Sequence, residues 1–254
     1  MRLSYIMGCL KENYMSENNQ KVLSAEQNAT KKANKIWLKR IRVFAGVLGM
    51  TLPWIAMLGA FIVSKAQPQI IPSDFWTELS ISETYYVTPA LAGVLTTAAV
   101  VLMSYKGYSL LDHVITSISG VFGIMIVLFP CNCPMVKDET LVGFFQLTAA
   151  VSNKIHCTAA VIFFLLLAFN SLFLFTKDGN DKNQELTKQK KIKNIIFRVC
   201  GVGMLCGLIM VPLPLEGIIP AKVFIAEAIA LTFFGISWLV KGEVFGLLAD
   251  KKPE

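Results

Sequence analysis

The chain has 254 residues, of which 54% are hydrophobic and only 16% charged, with a formal net charge of +7. Mean hydropathy is +0.57, whereas soluble domains average about 25% charged residues; a soluble globular domain, a disordered chain and a disulfide miniprotein are excluded. The apolar residues gather in long runs almost free of charge, which is the pattern of a polytopic membrane protein.

In chain order, residues 1–40 are polar and basic and read as a mobile cytoplasmic N-terminus. Residues 2–10 lack the apolar core of a secretory signal. The string Ile6-Met7-Gly8-Cys9 matches a lipoprotein cleavage box by chance, and either Met1 or Met15 can open the chain. A transmembrane helix needs about 20 mostly apolar residues. Six stretches meet or approach that length, at 41–63, 87–105, 114–130, 155–175, 195–215 and 223–240. Lipid offers backbone groups no partner, so these runs must be helices, and the alternating ten-residue strands of a barrel are not found. The predicted fold is therefore all-α integral membrane, a six-transmembrane-helix bundle over 41–245 followed by a cytoplasmic tail at 246–254.

Lys and Arg set the orientation. The segments before span one, between spans two and three, between four and five, and after six, taken with Arg42 and Arg198 at the adjoining span ends, hold 20 of the 24 basic residues. Lys65, Lys137, Lys154 and Lys222 lie on the other side. N and C termini are thus both expected in the cytoplasm. The basic excess then reads as a retention signal, and the tract at 177–193 as a partner for anionic lipid rather than nucleic acid. Within that tract the string at 177–184, KDGNDKNQ, carries turn formers.

Two outer loops hold unusual residues. In the first, Pro72, Ser73 and Asp74 read as a helix start with Ser73 as N-cap. Phe75, Trp76, Tyr85 and Tyr86 fit an aromatic belt at headgroup depth. In the second, the apolar run at 141–151 is too short to span and reads as an interfacial or re-entrant helix, a lid over the bundle. Trp238 and Lys241 read as anchors at the inner end of span six. Gly203 and Gly207, with Ser119 and Gly123, permit close helix contacts, and Asn170 is expected to hydrogen-bond between helices.

Glu227 is the one carboxylate within a span, and a charge there calls for a partner inside the bundle. His156, Asn153, Gln146 and Lys154 are candidates at similar depth. With Glu83 and Tyr86 from the first loop, the predicted ligand-binding set is Glu227, His156, Asn153, Glu83, Tyr86 and Gln146, at an outer-face site between spans three, four and six. The competing reading is structural: a hydrogen bond for Glu227 and simple anchoring for the loop aromatics. His156 also titrates near neutral pH when unperturbed, at about 6.5. Cys131, Cys133 and Cys157 lie on the same rim. Cys157 can bridge to one of the pair, and free thiols or a soft-metal site with His156 are the alternatives. The spacing matches no established zinc site, and no metal or other cofactor is expected.

An enzyme is harder to build. The chain has two histidines, and the topology puts His113 at the cytoplasmic face and His156 at the outer face, about 30 Å of hydrocarbon apart, so they cannot share an ion. Asp112 beside His113 reads as a loop cap. No nucleophile elbow, zinc-protease or P-loop motif is present. Ser152 and His156 share a helical face, but nothing marks an oxyanion hole, so no catalytic residue is assigned.

Seven strings occur in order: SISETYYVTPA at 80–90, SYKGY at 104–108, LFPCNCP at 128–134, VGFFQL at 142–147, VSNKIHCTAA at 151–160, NSLFLFTK at 170–177 and FGISWLVKGE at 234–243. Together they resemble a bacterial family of six-span inner-membrane proteins known only by a domain-of-unknown-function designation, over about residues 35–245. The resemblance implies the fold and a multi-pass bacterial plasma (inner) membrane location, and it assigns no activity. A more distant likeness to the ceramidase and adiponectin-receptor superfamily fails on the missing histidines. The function expected is binding or sensing of a small molecule or lipid at the outer face, with membrane lipids as partners. A membrane-embedded enzyme on a lipid or isoprenoid substrate, a small transporter and a purely structural subunit are the alternatives.

Overall fold

The computed structural model describes residues 2–69, 71, 75–107, 109–177, 187–215 and 217–244, with residues 2–19 and 21 as backbone only. The helix start expected at Pro72–Ser73–Asp74, most of the turn-forming string at 177–184 and the tail at 246–254 lie outside these residues. The protein is mostly helical. It divides into two compact units, Met1–Arg40 and Ile41–Glu254. The first unit, read from sequence as a mobile arm, is helical from Arg2, and its side chains from Val22 to Arg40 are exposed apart from the half-buried Leu38.

Helix α1 (Arg2–Ala66) is followed by a single turn α2 (Phe75–Glu78) and a 3-10 segment (Ser82–Tyr86). Then come α3 (Ala90–Ser104) and α4 (Leu110–Leu128), a two-stranded hairpin β1 (Leu141–Val142) and β2 (Leu147–Thr148), and α5 (Ala149–Phe169), which runs into a π-helical segment at Asn170–Leu174. Two further helices, α6 (Lys188–Met210) and α7 (Lys222–Lys241), complete the chain. Among the described residues five helical stretches are long and apolar enough to cross a membrane: Val22–Ala66, Leu110–Leu128, Ala149–Leu174, Lys188–Met210 and Lys222–Lys241. The second predicted span is shorter than expected. At 15 residues α3 extends about 22 Å at 1.5 Å per residue, against a hydrocarbon core of about 30 Å.

Contacts at its two ends show that α3 lies alongside α1 from about Gly59 to Arg42. Near its start, Thr88 is the neighbour that a Cβ on Gly59 of α1 would meet. Just past its end, the Tyr105 hydroxyl accepts from Arg42 Nε at 3.1 Å and Nη2 at 2.9 Å. This second end is closed by aromatic rings. Trp238, fully buried, meets Tyr105, Phe175 and Phe234 at centroid distances of 5.2, 5.4 and 5.7 Å. Trp238 is therefore a core residue and not the interfacial anchor read from sequence: a position three residues from the end of α7 still faces its neighbours, and three of them are aromatic. Lys241 does sit at the rim, with Nζ donating to the Phe175 carbonyl at 3.2 Å and lying over the Phe175 ring. Asp112 forms a capping box with Ser109 at the start of α4, and His113 Nδ1 lies 2.9 Å from the Tyr105 carbonyl.

Small residues bring the helices close. A Cβ on Gly46 of α1 would stand 2.9 Å from the Gly235 carbonyl of α7, and one on Gly207 of α6 would stand 2.7 Å from the Ala226 carbonyl of α7. Gly123 of α4 faces Ala99 and Phe163. Asn170 departs from expectation. Its side chain is buried, and neither amide atom has a hydrogen-bond partner among the described residues; the neighbouring Ser171 makes the inter-helix bond instead, to the Phe197 carbonyl at 2.8 Å.

The run at 141–151 is not one interfacial helix. Residues 141–148 form the hairpin, paired Leu141 to Thr148 and Val142 to Leu147, and α5 begins at Ala149, six residues before the predicted 155. Gly143 (φ +71°) and Gln146 (φ +50°) supply the left-handed backbone that the tight turn demands. The Phe144 amide donates to the Leu128 carbonyl and the Phe145 ring stacks on Phe129, so the hairpin packs back along the end of α4. Gly46→Ala should destabilise the second unit by about 1–3 kcal/mol, because the added methyl meets backbone of α7 at Gly235 and Leu239 as well as the Leu239 side chain, and the backbone cannot yield. The measurement is the midpoint of unfolding in mixed micelles, with circular dichroism confirming that helix content is retained before unfolding.

Candidate functional site

The end of the bundle opposite Arg42 is organised by the segment 75–89, which enters the protein instead of lying over it. Phe75, Leu79, Ser80, Ile81 and Thr84 are all buried. The aromatic belt expected here is thus only partial: Phe75 is 2% exposed while Trp76 is 37% exposed, because a four-residue helix presents alternate sides to core and surroundings. Irregular backbone survives in an apolar setting only when protein satisfies it, and α7 does so. The Ala221 amide donates to the Thr77 carbonyl at 2.6 Å and the Phe224 amide to the Leu79 carbonyl at 3.2 Å. These are the donors that the first turn of a helix leaves without intrahelical partners. One turn further, the Ile81 amide donates to Glu227 Oε2 at 2.6 Å.

Glu227 also accepts from the Ser82 hydroxyl, Oγ to Oε1 at 2.9 Å. Ser82 Oγ in turn lies 3.1 Å from His156 Nε2. The other ring nitrogen of His156, Nδ1, faces two carbonyls, Phe129 at 2.8 Å and Ile126 at 3.1 Å. Carbonyl oxygens only accept, so Nδ1 carries hydrogen. The sequence places His156 here for a local reason. Ala149, Ser152, Asn153 and His156 occupy one face of α5, and that face covers the end of α4. Ser152 donates to the Pro130 carbonyl at 2.7 Å, and Asn153 Oδ1 accepts from the Asn132 amide at 3.1 Å. These bonds fix the chain just beyond α4, while His156 Nδ1 gives the Ile126 and Phe129 carbonyls at the end of α4 a partner that the helix cannot supply. Ser152 and His156 do share a face, as read from sequence, but each serves a different carbonyl.

The remaining members of the expected set fall around this chain. Glu83 forms a reciprocal box with Ser80: the Ser80 amide donates to Glu83 Oε2 at 3.1 Å and the Glu83 amide to Ser80 Oγ at 3.0 Å. Burial, reinforced by the charge of Glu78, pushes its carboxyl from the ordinary 4.5 up to about 7. Tyr86 donates to the Cys131 carbonyl at 2.7 Å, and burial holds its phenol above the ordinary value. Gln146 stands apart, exposed on the hairpin turn with its amide donating to the Gly143 carbonyl at 2.8 Å. Cys131, Cys133 and Cys157 are free thiols, and burial raises the first two above the usual thiol range. Among the described residues no group of three His, Cys, Asp or Glu side chains is placed to hold a metal ion.

Ser82 is the member that sequence reasoning missed. The signal was present, since Ser80-Ile81-Ser82-Glu83 has the Ser-x-x-Glu spacing of a capping box and so announces a helical turn inside the loop. Beside Ser82 and Glu227 lies a cavity of about 30 Å³, otherwise walled by apolar residues that include Leu95, Ile126, Ala160 and Phe163. Comparison with known proteins gives no match: no family model, no curated protein and no solved structure is similar to this chain.

Glu83 gives a pH prediction with a defined sign. Between about pH 4.5 and 7 the unfolded chain loses this proton and the folded protein keeps it, so stability falls as pH rises through that window. Glu83→Gln should flatten the decline by about 1–2 kcal/mol, the full shift discounted for a half-exposed group. Unfolding midpoints of wild type and variant at both ends of the window provide the measurement.

Proposed function

We propose that this protein is a six-span membrane protein of the bacterial inner membrane, with α3 as the sixth span, both termini in the cytoplasm and the Glu227 end facing outward. In that setting it binds or senses a small amphiphilic molecule or lipid between α4, α5 and α7. The observation that carries the reading is the cavity beside Glu227 and Ser82. Ligand sites pair an apolar wall with a few directed polar groups, and this cavity has that composition. Its 30 Å³ suits a polar group about the size of one water, so a hydroxyl or ammonium group is the end that would seat against Glu227, with the apolar remainder of the ligand following along the helices. The orientation rests on the distribution of Lys and Arg, and the family on the ordered strings of the sequence.

A serine hydrolase is the competing reading, favoured by the Ser82–His156 contact. Electrostatics stands against it. A tetrahedral oxyanion needs converging donors, whereas the hydroxyl of Ser82 is held by the Glu227 carboxyl, and the Ile81 amide is spent on the same group. Transport would need a polar path from Glu227 towards Asn170, and the buried residues along the helices between them include Leu95, Leu102, Phe163, Leu167 and Phe234.

The test is to fill the cavity. Ala160→Leu adds more volume than the space holds. Protein extracted in native-membrane nanodiscs should carry a lipid or small molecule that mass spectrometry finds reduced about tenfold in the variant, a loss of about 1.4 kcal/mol in binding. Equal amounts in the two proteins, with circular dichroism unchanged, would rule out this site.

A further inference from the structure

The hydrogen count along His156–Ser82–Glu227 carries a second conclusion. Nδ1 of His156 holds its hydrogen against the Phe129 and Ile126 carbonyls. Two gaps remain, Nε2 to Oγ and Oγ to Oε1, at 3.1 and 2.9 Å. Each needs one hydrogen, and the Ser82 hydroxyl has one to give. The second must come either from Nε2 of an imidazolium or from a protonated Glu227. Both forms contain the same number of hydrogens. Neutral imidazole with an ionised carboxylate has one too few, and leaves either His156 or Glu227 facing a lone pair of Ser82.

We propose that this chain is a proton-binding site, and that its proton latches the 79–88 segment onto α5 and α7. Ser82 belongs to the inserted segment, while its two partners belong to helices. With the proton bound, Ser82 is tied on both sides. When the proton leaves to solvent, one of the two ties is lost and the segment is held by fewer bonds. The charged and titratable surroundings favour the bound form. Glu83 on the 3-10 segment, Cys131 beyond α4 and Cys157 on α5 all interact with Glu227 or Glu83 electrostatically, and none of them is a cation; Lys154, the cation of α5 nearest His156 in sequence, has an exposed side chain. Lys222 at the start of α7 donates to the Leu213 carbonyl. Helix α1 has no titratable residue between Arg42 and Lys65, α3 has none at all, and those of α4, Asp112 and His113, lie at its far end. A second carboxyl nearby, in an apolar enclosure, disfavours the doubly ionised state.

This inference rests on reading the Glu227 end as the ligand site, to which the 79–88 segment forms the cover. It is tested without ligand, so that it stands or falls separately from amphiphile binding. Hydrogen–deuterium exchange of the full-length protein in nanodiscs is followed over the 79–88 segment at about pH 5.5 and about pH 8.5 and corrected for intrinsic exchange, with Glu83→Gln present in the wild-type reference and in both variants so that Glu83 itself does not titrate between the two values. Wild-type protection should drop about tenfold at the higher pH, the effect of losing one buried hydrogen bond. In Glu227→Gln the side-chain amide supplies the missing hydrogen permanently, so protection should be high at both values. Ser82→Ala lacks both ties and should be poorly protected at both, which keeps the test decisive if the glutamine variant does not fold. Wild-type protection that does not change with pH overturns the proposal. So does a parallel drop in Glu227→Gln, or wild-type protection in Ser82→Ala at the lower pH.

Discussion

The structure depends on a row of bonds between the 77–82 segment and the first turns of α7. Thr77 and Leu79 offer carbonyls to Ala221 and Phe224, and Ile81 and Ser82 offer hydrogens to Glu227. Every second residue of an irregular segment meets every third residue of a helix. Each side solves a problem for the other: the segment needs partners for a backbone buried among apolar side chains, and the helix needs acceptors for its leading amides. Glu227 is the point where this row turns inward. It accepts two hydrogens from the segment, which gives this carboxylate among apolar helices a structural reason to exist. The same position puts it beside the cavity.

His156 has a comparable double character. Its Nδ1 hydrogen covers the exposed carbonyls at the end of α4, and a helix end among apolar neighbours cannot do without such cover. That duty fixes the tautomer and points Nε2 at Ser82. The structural and functional readings of Glu227 and His156 therefore do not exclude one another: the bonds that hold four chain segments together are those that set the proton inventory of the site. The opposite end of the bundle shows a different solution. There Arg42, Tyr105 and a ring of buried aromatics close the structure.

Two expectations failed for related reasons. The run at 141–151 was the natural candidate for a re-entrant element because it is apolar, yet it is a hairpin whose Phe144 and Phe145 remain exposed. The element that enters the bundle is 75–89, which is more polar. Hydropathy measures transfer of side chains, whereas entry of irregular backbone is decided by hydrogen-bond partners, and the more polar segment brings Ser80, Ser82, Glu83 and Thr84 with which to satisfy itself. Trp238 illustrates the same point in reverse, since its place near a helix end suggested an interfacial anchor and its neighbours made it the centre of a core.

From the sequence alone follow the apolar helices, the basic and acidic ends of the chain segments, and the oddity of Glu227 and His156 among apolar neighbours. These are local properties, readable from hydropathy, charge and helical spacing. That Ser82 stands between Glu227, 145 positions away, and His156, 74 positions away, was decided only by the tertiary structure. Periodicity within a segment says which face is polar; it carries no information on which distant polar group that face will meet, because the pairing is set by where the helices pack and which backbone groups are left needing a partner.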